Sequence, residues 1–233
     1  MRAPPRLETP PGGNAWRLAM LGLTVVGWLG SFAALRQWGT WAPFVAVGPG
    51  LAAWWLWRDV PARRLLRSTW AGTAAGLLAG VLMVALTHLV FALVAPRVPE
   101  VRAATEALFR TFEAGGAFGD FPAGPRVGLV LLVAASEEIL FRGVLLGDPR
   151  GWRGRGAHPP DGLGWTRIAL LAAVYGASTL TLGSWVLPVV ALACGMLWGA
   201  LRVVTGSVVP PIVTHGTWHV GILVLWPLVE AAP

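Results

Sequence analysis

Apolar residues run in long blocks, broken by short stretches that carry arginine, proline and glycine. The blocks extend from about Trp16 to Leu35, Trp38 to Trp57, Trp70 to Ala95, Val127 to Leu146, Trp165 to Leu180, Trp185 to Val203 and Ser207 to Leu228. A helix of about 20 apolar residues crosses the hydrocarbon core of a bilayer. The pattern therefore predicts an all-α, polytopic transmembrane helical bundle of about seven spans. The second block holds Pro43 and Pro49, which predict a kink or a break into a re-entrant piece. Between the third and fourth blocks, Val101, Thr105, Leu108 and Phe112 stand near helical spacing, which predicts a helix over Glu100 to Phe112 lying along the membrane interface.

The fourth block breaks its own pattern at Ser136-Glu137-Glu138-Ile139-Leu140-Phe141-Arg142. Each charge at the centre of a spanning helix costs on the order of 2.5–3.5 kcal/mol on insertion scales. Such groups persist where they face protein or water and do chemistry. Glu138 and Arg142 share a helix face, acid before base, and can pair. Glu137 is rotated by roughly 100° from Glu138, so it stands free of the pair and can point into a cavity. The plainer alternative puts all three charges at the cytosolic end of a shorter helix, snorkelling to water. Gly143 to Leu146 extend the apolar run beyond Arg142 and count against it.

The last block holds the second costly group, Thr214-His215-Gly216-Thr217-Trp218-His219. His215 and His219 project from one helical face. Paired imidazoles can bind a metal, donate to a developing oxyanion, or simply bond across helices. Gly216 between them leaves room for close approach of a backbone or a substrate. In the fifth block, Tyr175 and Thr179 share a face and are candidates for positioning substrate or water, although membrane hydroxyls usually bond back to the preceding turn. His88 reads as a packing or interfacial histidine, and His158, beside two prolines in a basic loop, as solvated. Cys194, the single cysteine, can form no disulfide within the chain and reads as a buried, inert small residue.

Composition supports a membrane protein: 55% of residues are hydrophobic and 12% charged, with mean hydropathy +0.64. The net charge of +7 then reads as topology rather than a nucleic-acid surface. Arg58, Arg63, Arg64 and Arg67 lie between the second and third blocks, and Arg150, Arg153, Arg155 and Arg167 between the fourth and fifth. Both connections are expected in the cytoplasm. The connection from Pro96 to Arg126 carries no net charge and is expected outside, with the N-terminus inside. The 14 Trp fit aromatic belts at the two interfaces. The proline-rich start shows no cleavage site that would make the first span a removable signal.

Taken together, these motifs resemble the CPBP family of intramembrane proteases, which includes the CAAX prenyl endopeptidases, relatives tied to bacteriocin processing or immunity, and a myxosortase-like branch. The family's Glu-Glu-x-x-x-Arg motif is matched by Glu137, Glu138 and Arg142, followed by Gly143. Its Gly-Ser-x-x-x-Pro lead is matched by Gly206, Ser207 and Pro210, and its His-x-x-x-Asn motif by His215, with His219 where Asn is usual. Its middle Phe-x-x-x-His motif falls on Tyr175 and Thr179, so threonine stands in the place of a histidine that helps hold the catalytic water or a metal. The resemblance covers about Val127 to Leu228. It implies a catalytic core over 127–230, which follows a proline-rich lead over 1–14, expected to be disordered from its composition, and N-terminal spans with an external loop over 15–126.

The resemblance implies an endopeptidase in a bacterial inner membrane that acts on a membrane-anchored protein or peptide. Glu137 would activate a water, Glu138 and Arg142 would brace the helix, and His215 with His219 would stabilise the oxyanion. No cofactor is expected. The alternative is a zinc held by Glu137, His215 and His219 with an open position for water. Two rivals belong to other classes: a catalytically silent scaffold or immunity protein, for which Thr179 speaks, and a proton-coupled transporter, which would need the paired half-helices or internal repeat that the chain lacks.

Overall fold

The computed structural model describes residues 13–58, 60–113, 121–147 and 162–229. Among them every regular element is helical: α1 (Gly13–Trp38), α2 (Ala42–Arg58), α3 (Trp70–Val94), α4 (Pro99–Glu113), α5 (Ala123–Glu138), α6 (Gly162–Ser178), α7 (Val186–Thr205) and α8 (Val209–Val220). Short 3₁₀ turns over Val60–Leu66 and Leu180–Leu182 join α2 to α3 and α6 to α7. Helices α5 and α8 continue as π-helices over Ile139–Leu145 and Gly221–Leu225. This is the expected all-α membrane bundle, and each apolar block carries a helix.

By length and apolar composition, Leu18–Trp38, Trp70–Val94 and Val186–Thr205 are each sufficient to cross a membrane. The remaining blocks are shorter or, in α5, interrupted by charge. Of the lead expected over 1–14, residues 1–12 lie outside the described residues, as does the basic loop with His158, while Gly13 and Asn14 already belong to α1.

Two expectations about local structure are corrected. Helix α2 is not broken: it begins at Ala42, with Pro43 in the first turn, where an amide hydrogen has no helical partner, and Pro49 is carried within the helix. Helix α4 does not simply float on the interface. Its apolar face turns inward, burying Thr105, Leu108 and Phe109, and Trp41 Nε1 donates to its Phe112 carbonyl at 3.3 Å.

Packing is tightest where small residues let backbones meet. A Cβ at Gly80 of α3 would come within 2.9 Å of the Thr214 carbonyl on α8. The room at Gly216 goes to the same purpose: an added Cβ there would meet Leu131 Cδ2 of α5 at 2.7 Å. Gly216 thus serves helix packing rather than approach of a substrate. Thr214 Oγ1 donates to Gly76 O at 2.9 Å, tying α8 to α3. His88 packs as expected, its ring nitrogens lying 2.9 Å from the carbonyls of Val84 and Trp226.

The tryptophans divide. Trp38, Trp57, Trp70, Trp165, Trp185 and Trp226 sit exposed near helix ends, as interfacial belts require. Trp28, Trp41, Trp55, Trp198 and Trp218 are buried in the core, contrary to a purely interfacial reading. Trp28 occupies space that Gly48 of α2 leaves open, since a Cβ at that glycine would lie 2.6 Å from the indole.

Candidate active site

The acidic motif stands where α5 changes from α to π geometry. The amide of Ile139 donates to both Ala135 O and Ser136 O at the change. Single π turns of this kind are frequent at functional sites. Arg202 of α7 fastens the widened segment, donating from Nε to Arg142 O and from its guanidinium to Gly147 O, each at 3.2 Å.

Glu137, Glu138 and Arg142 are 3%, 0% and 4% exposed, which rules out the snorkelling alternative. Arg142 donates to Glu138 Oε1 at 3.1 Å, as the helical spacing predicts. Its guanidinium carbon sits 4.9 Å from the Tyr175 ring centre and 5.1 Å from that of Trp198. Faces of aromatic rings therefore share the cation with one carboxylate, which suits a charge removed from water.

Glu138 Oε1 accepts a second contact. His215 Nδ1 lies 2.9 Å away and acts as donor when Glu138 is ionised. That tautomer leaves His215 Nε2 with its lone pair. Nε2 faces Glu137 Oε2 at 3.7 Å, too far for a hydrogen bond and near enough for one small molecule to touch both. Trp198 fixes the imidazole from one side, stacked at 3.7 Å between ring centres with 19° between planes.

Glu137 is held from two other helices. Trp28 of α1 donates from Nε1 to Oε1 at 2.7 Å, and Tyr175 of α6 donates its hydroxyl to Oε2 at 2.6 Å. Tyr175 is thereby placed in the site.

Thr179 is not held the same way. Its hydroxyl donates back to Gly176 O at 2.8 Å, the local bond expected of a membrane hydroxyl.

A cavity of about 450 Å³ meets this cluster. Its wall is apolar except for a few groups, among them Glu137, Tyr175, Thr179 and His219. His219 lies 4.3 Å from His215 between ring centres and 4.8 Å from Trp218, against which it stacks. His219, rather than His215, is the imidazole on the cavity wall. Cys194 is buried as expected and lines the same cavity.

The structure thus gathers Glu137, Glu138, Arg142, Tyr175 and His215 into one connected group, with His219 and Thr179 on the adjoining wall. Trp28 and Trp198 were not legible in the sequence. Neither stands at a motif spacing, and each reaches the cluster only by tertiary packing.

The proposed zinc ligands do not form a metal cage. Among the described residues, no three His, Cys, Asp or Glu side chains converge on a common point. Both Glu137 oxygens already accept strong hydrogen bonds, and His215 Nδ1 is engaged by Glu138.

A family model described as type II CAAX prenyl endopeptidase Rce1-like matches residues 121–221. Over that stretch, less than half of the chain, it is similar to the CPBP family. The match includes every motif residue from Glu137 to His219 and leaves out Trp28 of α1. It carries no assignment to the myxosortase-like branch. Among curated proteins and among solved structures, none matches the chain significantly. The matched stretch is similar to CAAX-type endopeptidases, and the apolar helices suit an integral membrane protein.

Proposed function

We propose that the protein is a glutamate-dependent intramembrane endopeptidase of a bacterial inner membrane, with its N-terminus in the cytoplasm. The observation that carries this reading is the buried Glu137 carboxylate on the cavity wall, 3.7 Å from His215 Nε2. A water touching both groups would be polarised by a base on one side and an oriented imidazole on the other. Glu137 would take its proton as the oxygen attacks the scissile carbonyl. The proton would then pass to the leaving amine.

Each neighbour has a part in that sequence. Trp28 and Tyr175 would hold the Glu137 carboxylate in one orientation. Glu138, braced by Arg142, would hold the His215 tautomer, much as a carboxylate orients the histidine of a catalytic triad. His219 would donate to the developing oxyanion, since it is the imidazole that faces the cavity. A donor of this kind is worth about 100- to 1,000-fold in rate. No step in this scheme uses a metal. The substrate would be a protein or peptide with an apolar segment able to lie in the cavity.

Purified protein in proteoliposomes should cleave a membrane-anchored substrate, and the Glu137→Gln variant should not. Equal cleavage by both would remove Glu137 from the chemistry.

One observation favours a second reading. Thr179 stands where the family places a histidine, and its hydroxyl is turned to Gly176 O. A silent scaffold that kept the fold would retain its biological effect in a Glu137→Ala, His215→Ala double variant. A protease would lose it.

A further inference from the structure

The cavity has a sidedness. The turns between α1 and α2 and between α6 and α7, the α3–α4–α5 connections and the end of α8 gather at one end of the bundle. Contacts fix this end: Trp41 bonds Phe112 O, Arg36 bonds Thr181 O, and His88 lies against Trp226 O. The Val60–Leu66 turn and the α7–α8 turn gather at the other, where Val208 N donates to Leu65 O at 2.9 Å.

The cavity runs from the first end into the middle of the bundle. It takes the second halves of α1, α3, α6 and α8, the start of α2, Val130, Val133 and Glu137 of α5 and the stretch of α7 from Val186 to Trp198, with α4 across it. Lining residues run down from Phe112 on α4 to Glu137 and His219 at the bottom. Nothing from the turn at Val60–Leu66 or from Gly206 to Val209 takes part.

Charge separates the two ends. Arg58, Arg63, Arg64, Arg67, Arg167 and Arg202 lie at the end away from the cavity. At the cavity end stands Arg36, and the connection over α4 offsets its own arginines with Glu100, Glu106, Glu113 and Asp120. Arginine-rich short connections remain in the cytoplasm. The cavity therefore opens outward.

The aperture also reaches sideways. Leu86 and Val90 of α3 and Leu197 of α7 line the cavity and are exposed. Helix α3 packs on α8, while α7 packs on α6 and α8, so the cavity lies between α3 and α7 beneath α4.

We infer that the site receives its substrate from the extracytoplasmic half of the membrane: an already exported protein, still held by an apolar segment, that enters between α3 and α7 under α4. This deepens the protease reading and rests on it for the word substrate. The sidedness itself does not depend on catalysis.

The test uses the full chain with Cys194→Ala, carrying a single new cysteine on each exposed face, Arg102→Cys on α4 or Arg64→Cys on the Val60–Leu66 turn. Cells with a permeabilised outer envelope are treated with a membrane-impermeant maleimide. A parallel sample is labelled after detergent extraction, where both variants must react to be scored. Val98→Cys and Arg67→Cys replace either variant that fails to accumulate. Labelling of Arg102→Cys and protection of Arg64→Cys is expected. The reverse pattern, equal labelling of both, or protection of both overturns the inference. The same variants are assayed for cleavage: outward labelling without cleavage removes only the protease reading, and cleavage with inward labelling removes only the sidedness.

Discussion

Tyr175 on α6 and Glu137 on α5 meet through a 2.6 Å hydrogen bond that joins two membrane helices at the edge of a cavity. The phenol donates, and the carboxylate oxygen that accepts is the one facing His215. That contact, with Trp28 on the other carboxylate oxygen, sets the angle at which the acid presents itself to a substrate.

Removing that donor tests its part directly. Tyr175→Phe keeps the ring against Phe141 and Trp198 but deletes the hydroxyl. A hydrogen bond to a charged group is worth about 1.5–3 kcal/mol, so kcat should fall roughly 10- to 100-fold while KM stays close to that of the parent. Steady-state cleavage in proteoliposomes gives the split. An unchanged kcat would make the contact structural.

Trp28 offers a second, independent hold on Glu137 from outside the stretch that matches the family model. Trp28→Phe should lower the cleavage rate without unfolding the bundle. Gly48→Ala should do so as well, because the added methyl displaces the same indole. Intrinsic fluorescence and thermal unfolding in detergent will show whether the fold survives. If both variants cleave at the parental rate, α1 is only a packing partner.

The Arg142–Glu138 pair is fully buried, so breaking it is costlier than deleting it. Arg142→Met leaves a carboxylate with His215 as its remaining polar neighbour. Loss of one partner from a buried pair costs about 3–5 kcal/mol. Paired replacement Glu138→Leu with Arg142→Met should recover part of that loss in unfolding experiments, yet remain inactive because His215 is no longer oriented. Recovery of activity in the double variant would refute the positioning role of Glu138.

Chelation separates the metal-free reading from the zinc alternative. Exhaustive treatment with a strong chelator, followed by metal analysis, should leave the cleavage rate unchanged. Loss of activity that zinc restores would require ligands to rearrange around Glu137.

Much of the site could be read from the chain because the membrane makes charge conspicuous. Glu137, Glu138 and Arg142 interrupt an apolar run, and helical spacing alone paired Glu138 with Arg142 while turning Glu137 elsewhere. His215 and His219 stood out for the same reason. Trp28 did not, since an indole is at home in a membrane and fourteen of them blur any signal. Its meeting with Glu137 depends on how α1 crosses α5, which no local pattern encodes. Helix α4 was legible as amphipathic, but an apolar face can turn to lipid or to protein, and only the bundle decides. The π geometry after Glu138 leaves no trace in residue type.

The decisive measurement follows the oxygen. Wild-type protein and the Glu137→Gln variant are reconstituted with a membrane-anchored substrate in heavy-oxygen water, and the new C-termini are read by mass spectrometry. Heavy oxygen should enter each new C-terminal carboxylate with the wild type, with cleavage reduced roughly 100- to 10,000-fold in the variant. Cleavage at the parental rate without Glu137, or no cleavage by the wild type, would contradict a glutamate-activated water at this site.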